Sequence, residues 1–347
     1  MECKSPLKKT MLLDDHEDLG TSSREHLRFM VTDRRFYLIL FAAAGLLSLL
    51  PLGLGVYHLH VMIVSLFYVM MASSWNLLAG YTGQVSFAHA AFAGIGAYTS
   101  GILAVKFGVN PWLGVLLGTV MAALFGLGMG VLCLRMGGIY LSLTTLGFSE
   151  ILRIVITNEY EITRGTMGLQ IPGLVAEYSK IAYFYIMLGG TIVTLIVLYK
   201  LIYSNIGLNF RAVQNDERAA ASLGVDVVRM RVLAFTVSSA LAGMAGALFG
   251  HYLLLITPEI PSLSQQFLIL SMTVIGGMGS FLGPIIGAFA LNTLAEYIRA
   301  YGEYHVLVFG LVALVVARFA PKGLMGFAEP YLQDRLKPAK TASAASG

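Results

Sequence analysis

SNIGLNFRAVQNDERAAASLGVDVVRMR, residues 204–231, is the one long polar segment in a chain that otherwise reads as membrane. Arg211, Arg218, Arg229 and Arg231 are interleaved with Asp216, Glu217 and Asp226. Apolar runs flank the segment on both sides. A stretch so rich in charge cannot lie in hydrocarbon, so it sits in water at a membrane face. Residues 210–223 predict one short helix of good helix formers, with Ala212 and Ala219, Ala220 and Ala221 inside it. Gly224 then supplies a left-handed stop. Two readings follow. The segment is a solvated loop, or it is a coupling helix that docks on a soluble partner.

The 347-residue chain is 57% hydrophobic and 12% charged, with mean hydropathy +0.75. No soluble domain of this size hides that much apolar surface. The fold class expected is therefore an all-α polytopic membrane protein, with room for about ten spans of roughly 20 residues. The net charge of +4 is modest, and no basic cluster interleaved with aromatics points to nucleic acid. Cys3 and Cys133 fall in a polar tail and an apolar span, which suggests neither a disulfide framework nor a metal site. The 38 glycines suit close helix packing and interrupted helices.

Along the chain, residues 1–35 read as a charged cytoplasmic tail, too polar and too long to open a cleaved signal peptide. Residues 36–320 form the membrane domain, and residues 321–347 a second polar tail. No Asp, Glu, Lys or Arg occurs between residues 36 and 105. Spans are expected near 36–56, 57–79, 84–105, 111–134, 139–156, 181–203, 232–256, 266–278, 284–300 and 304–319. The fifth, eighth and ninth are candidates for re-entrant segments, which would lower the count to eight. Gly80 and Gly83 interrupt the helix after the second span. Residues 80–98 and 276–294 share Gly-x-x-Gly, an apolar stretch and then Ala-Phe, a short echo that chance also produces in a chain so rich in Gly and Ala. Two halves with matching broken helices are what transporters use to place a site near mid-membrane.

Lys and Arg placement sets the topology. With a cytoplasmic amino terminus and ten crossings, the inside holds seven basic residues of the first tail, Arg135, five from Lys200 to Arg231 and five from Arg318 to Lys340, 18 in all. Lys106, Arg153, Arg164, Lys180 and Arg299 make five elsewhere. Both termini and residues 204–231 are therefore expected in the cytoplasm.

No phosphate loop of the form GxxxxGK[ST], no HExxH and no GxSxG occurs, so nothing here reads as an enzyme. His89 lies near a helix break, where it is either a pathway residue or a polar group bonded to a neighbouring helix. Ser142, Thr144 and Thr145 can satisfy themselves on their own helix backbone. Glu150 and Arg153 are three apart and share a helix face, which predicts an ion pair. Only Glu150 and Glu296 are candidate intramembrane acids, so the sequence argues against ion coupling and for an energy source on another chain.

GYTGQVSFAHAAFAGIGAY (80–98), YLSLTTLGFSEILRIV (140–155), ITRGTMGLQIPG (162–173), FRAVQNDERAAASLGVDVVRMRVLAFTVSSALAGMAGALFG (210–250) and VIGGMGSFLGPIIGA (274–288) form five blocks in order. Together they resemble the permease subunits of branched-chain amino-acid ABC importers, over roughly residues 58–327. Among these, the chain is similar to the subunit with the longer amino-terminal part. The resemblance implies a multi-pass subunit of a bacterial inner membrane that imports branched-chain or other hydrophobic amino acids. It implies a homologous second permease subunit, two ATPase subunits that bind ATP and Mg, and an extracytoplasmic substrate-binding protein, with no cofactor on this chain. It carries an ATPase-coupling role to Gly207, Arg211, Ala212, Asp216, Glu217, Ala220 and Gly224. It carries pathway roles to Gly83, Ser86, His89, Phe92, Thr144, Thr145, Gly276, Gly277 and Gly279. Docking of the binding protein falls to Glu161, Thr163, Arg164, Gly165 and Gly168. Departures are Gln214 where the coupling motif usually has Arg, Arg164 where the external motif usually has Gly, and Phe87–Ala88 where Leu–Gly is common. The alternatives are the same machine with urea, short amides or aromatic acids as cargo, an ion-coupled carrier working alone, and a channel-like membrane protein.

Overall fold

The computed structural model describes residues 34–49, 51, 55–133 and 136–299. The expected tails, apart from Arg34 and Arg35, and the expected span at 304–319 lie outside the described residues. The chain runs through α1 (Arg34–Leu49), α2 (Val56–Tyr81), α3 (His89–Lys106), α4 (Pro111–Leu132) and α5 (Ile139–Asn158). A short α6 (Tyr160–Thr163) and the two-residue β1 (Leu169–Gln170) precede α7 (Lys180–Ile202). The polar segment contains α8 (Asn205–Asn215) and α9 (Glu217–Ser222). Then come α10 (Val227–Leu253), β2 (Leu255–Ile256), α11 (Leu263–Gly277) and α12 (Gly283–Arg299).

Of these, α2, α4, α5, α7 and α10 are each long and apolar enough to cross a membrane. Pro111 opens α4, where its missing N–H costs nothing, and the Asn110 side chain accepts from Trp112 N at 3.0 Å. α4 and α5 turn a broad apolar surface outward, including Leu116, Leu124, Leu143 and Ile151. Such a surface belongs against lipid or another apolar chain.

α10 is the central helix, with α3 and α4 packed on it and α2 beside it. Small residues set the spacing. A side chain at Gly96 would collide with the backbone of Gly243, and one at Gly246 with the backbone of Ala93. Backbones therefore touch directly, which is how helices gain packing energy where no water is available to drive association.

Two helices begin deep in the body. α3 starts at His89, whose Nε2 lies 2.5 Å from Ser238 Oγ, about 16 Å along α10 from its first residue. α11 starts at the same level: Ala90 N donates to Gln266 Oε1 at 3.0 Å, and Pro261 packs on Gly94. From there the two diverge. α3 runs toward the end where β1 pairs antiparallel with β2, Leu169 opposite Ile256. α11 runs toward the polar segment. The partner of the break at 82–88 is thus the stretch 257–262. The stretch 278–282, which the echo with 80–98 picks out, is instead a tight hairpin between α11 and α12.

Candidate functional site

Residues 82–88 are irregular backbone inside an apolar body, where each unpaired peptide group is costly. Side chains from two helices satisfy them. Trp75 Nε1 donates to Ser86 O at 2.7 Å, Thr145 Oγ1 accepts from Phe87 N at 2.9 Å, and Ser142 Oγ donates to Val85 O at 2.8 Å. Gly83 takes φ +70° and lets the chain turn. His89 is fully buried, and Ser238, which it contacts, donates to Ser74 O at 2.5 Å. That is the arrangement of a polar group bonded to its neighbouring helices. Phe92 is buried one turn on and meets the His89 ring edge-on. Gly83, Ser86, His89, Phe92 and Thr145 therefore come together. Thr144 is half-buried and bonds its own helix at Tyr140 O, 2.9 Å. Gln84, 5% exposed, has neither amide atom hydrogen-bonded.

A second cluster joins the end of α2 to the α11–α12 hairpin. Asn76 Nδ2 donates to Ser280 O at 2.8 Å, and its Oδ1 accepts from Gly279 N at 2.9 Å. Gly80 lies against the same loop, so close that a side chain there would strike Gly279 N. Gln214 Nε2 donates to Gly80 O at 2.9 Å. Gly276 packs on the backbones of Gly283 and Gly287 and serves to close the α11–α12 hairpin. A cavity of about 270 Å³ opens between α2, α3, α10, α11 and α12. None of the nine pathway positions inferred from sequence lines it, though their neighbours Ala90 and Ala93 do.

The polar segment departs from expectation. In place of one helix over 210–223 there are two, because Asp216 turns to extended backbone and its Oδ1 accepts from Arg218 N and Ala219 N at 2.8 and 3.1 Å. An aspartate makes a better N-cap than an interior residue, and that preference wins. Gly224 has φ +86° and ends α9 as expected. Phe210, Val213 and Ala220 are buried within the chain itself, as is Gly207 against Ile202 O. They anchor the segment and are not open to a partner. Arg211 also turns inward, 5.5 Å above the Tyr81 ring. Burial pushes the phenol of nearby Tyr203 above its ordinary pKa, and Arg211 pulls it back. Glu217 pairs with Arg231 at the start of α10. What remains outward is a continuous face from Asn215 to Ala219 and from Ala221 to Gly224, on which Leu223 is 83% exposed. Ala212 is half-buried at its edge.

At the opposite end, the loop after α5 is built rather than loose. Glu150 and Arg153 pair as the spacing predicts. Lys106 Nζ donates to Glu161 O at 2.8 Å, and His251 bridges Ser100 Oγ and Pro172 O at 2.7 Å each. Thr163, Gly165 and Gly168 are buried and fold the loop, so they offer no docking surface. Glu161 and Arg164 are exposed, beside Tyr160 and Met167. Arg164 holds φ +64°. A glycine would hold that left-handed backbone without the steric cost of a Cβ.

Sequence reasoning passed over Asn76, Gln265, Gln266 and Asn292. They are neutral amides inside apolar helices. A search restricted to charged and hydroxyl residues does not find them, although a buried amide in a span asks for a partner as much as a charge does.

Five membrane-length helices and two shorter ones, α3 and α11, that start inside the body, with polar groups gathered at the interruptions and an exposed segment tied to them, are the architecture of a membrane transport protein. The chain belongs to the family described as branched-chain amino acid transport system, permease component, whose profile matches residues 57–317. It is 31% identical over 307 residues to the high-affinity branched-chain amino acid transport system permease protein LivM of Escherichia coli strain K12, covering 80% of this chain and 72% of that one. It is 22% identical over 333 residues to the probable LivM permease of Methanocaldococcus jannaschii, covering 81% and 93%. It is 25% identical over 281 residues to the Escherichia coli K12 permease protein LivH, covering 75% and 91%. No solved structure matches the chain.

Proposed function

We propose that this chain is the translocating subunit of an ATP-driven importer of branched-chain or other hydrophobic amino acids. It works beside a homologous second permease subunit, two ATPase subunits that hold ATP and Mg, and an extracytoplasmic binding protein. The chain spans the bacterial inner membrane about ten times, with both termini and residues 204–231 in the cytoplasm. The ATPases dock on the outward face of α9, and force passes inward through α8. The binding protein docks on Glu161 and Arg164 at the other end. Gly83, Ser86, His89, Phe92, Thr144 and Thr145, with Gly276, Gly277 and Gly279 of the hairpin, form the moving gate.

The observation that supports this most is the bond from Gln214 to Gly80, because it joins a water-exposed segment to the end of α2 and, through Gly80, to the α11–α12 hairpin. A solvated loop has no need of such a tie. The test is reconstitution of the full complex in proteoliposomes with labelled leucine. Uptake that needs both ATP and the binding protein is the expected result. Uptake by this chain alone on an ion gradient, or preference for urea, short amides or aromatic acids, would overturn it.

A further inference from the structure

Two histidine–serine bonds fasten α3 to α10, with the residue types exchanged between them. At the start of α3, His89 meets Ser238 of α10. Ser238 gives its own proton to Ser74 O, so the imidazole Nε2 carries a hydrogen and donates to Ser238 Oγ. Nearer the external loop, His251 of α10 meets Ser100 of α3 at 2.7 Å. Its other ring nitrogen, Nδ1, lies 2.7 Å from Pro172 O, and Pro172 is exposed on that loop. A carbonyl can only accept, so Nδ1 donates to the loop and Nε2 accepts from Ser100 Oγ. All four bonded side chains are fully buried. The bonds stand at 89 and 100 on α3 and at 238 and 251 on α10, separated by roughly 16–20 Å of helix. Between them the backbones touch at Gly96 with Gly243 and at Gly246 with Ala93. The two helices are therefore held against sliding along their whole contact. The loop is sewn to the same place. Gly101 of α3 packs on Ile171 and Ile256, and Ile171 N donates to Leu254 O at 3.0 Å. His251 is the one side chain that bonds the external loop and α3 from α10.

We propose that His251 is a positioning residue for coupling, which makes the external loop, α3 and α10 move as one body. A shift of the loop by a docked binding protein then reaches His89 at the gate through α3. Through α10 it reaches Arg231, which pairs with Glu217 of the polar segment. The proposal rests on the importer reading and adds to it the route by which docking at one end is felt at the other. A side chain that only staples the fold differs in a measurable way. Its loss harms assembly or docking, whereas loss of a relay leaves both and breaks the response between them.

The experiment uses the assembled complex in proteoliposomes. Wild-type uptake of leucine is measured first, and its absence would sink the importer reading. With uptake present, the leucine-loaded binding protein should raise ATP hydrolysis above its basal rate. A working wild type without that rise would overturn the relay alone. His251→Phe keeps a ring and loses both hydrogen bonds. It should assemble with the ATPases, hydrolyse ATP at a basal rate within twofold of wild type and bind the binding protein as tightly. Stimulation by saturating binding protein and leucine uptake should both fall at least fivefold. His251→Gln, whose amide can donate to Pro172 O and accept from Ser100 Oγ, should regain at least half of each. Ser100→Ala leaves the loop tied to α10 but frees α3, and should lower stimulation at least threefold. Full stimulation in His251→Phe would overturn the proposal. So would a loss of binding-protein affinity large enough to account for the whole defect, which is the mark of a staple. If His251→Phe does not assemble, Ser100→Ala decides, because it deletes a single hydroxyl, and unchanged stimulation there would refute the relay.

Discussion

Gln214, on the water-exposed segment, donates a 2.9 Å hydrogen bond to the carbonyl of Gly80, the second-last residue of α2. Gly80 in turn lies against Gly279, which Asn76 holds at 2.9 Å. One side chain thus reaches the point where the end of α2 meets the α11–α12 hairpin. Removing it as Gln214→Leu costs about 1 kcal/mol of local stability, the worth of one hydrogen bond. Insertion and ATPase co-purification should persist, and uptake should fall at least fivefold. Gln214→Arg, a donor of greater reach, should keep most uptake. Equal uptake by the Leu variant and wild type would show that the tie carries no force.

Arg164 pays for a left-handed backbone at φ +64°, a cost of about 1 kcal/mol for a residue with a Cβ. Arg164→Gly should therefore leave the loop as stable or slightly more so, whereas Arg164→Val should loosen it, because a β-branched residue tolerates that conformation worst. Limited proteolysis of the loop at 157–180 in the intact complex measures this. If the docking role of Arg164 is right, the Gly variant also loses cross-linking to the binding protein despite its firmer loop. Faster cleavage of the Gly variant than of the Val variant would refute the backbone argument.

Much of this architecture can be read from residues. Hydropathy places the five membrane-length helices within about five positions of their ends, because hydrocarbon forces helices to satisfy their own backbone. Gly83 and Gly224 announce their turns, since each takes positive φ. Glu150 and Arg153 pair because helical spacing leaves them adjacent. What could not be read is which side chain meets which. The chain places Asn76 and Gly279 203 residues apart, and no local rule connects them. The inward turn of Phe210, Val213 and Ala220 escaped for a related reason. Apolar residues on a wet helix look like a partner surface until the chain's own helices are seen to cover them. The cavity was hidden because its wall is assembled from α2, α3, α10, α11, α12 and the loop before α11.

The basic-residue bias predicts that residues 204–231 face the cytoplasm, and Asn215 is exposed on that segment. A membrane-impermeant thiol reagent should fail to label Asn215→Cys in intact cells and should label it in inverted vesicles. Arg164→Cys should show the reverse. Both variants are made with Cys3→Ser, because Cys3 in the tail expected in the cytoplasm would itself react in inverted vesicles, while native Cys133 is buried and should stay silent in both preparations. Labelling of Asn215→Cys from outside sealed cells would invert the whole topology and with it the proposed direction of transport.

The exposed face of α9 separates coupling from mere solvation. Ala220 is 2% exposed within this chain, so Ala220→Asp would bury an unpaired charge and disturb the segment itself. Failure of that variant would say nothing about a partner. Leu223 is the better probe, because it is 83% exposed and its loss cannot harm the chain's own packing. A large apolar side chain held in water beside a helix cap is what a partner's pocket covers, and burying it contributes about 2 kcal/mol. Leu223→Asp should insert and fold as wild type does, with an unchanged melting profile. Its affinity for the ATPase should fall at least tenfold, uptake should drop in step, and Leu223→Met should restore both. A Leu223→Asp complex that assembles and imports at the wild-type rate would reduce this face to a solvated surface. The importer reading would then rest on the family resemblance and the gate alone.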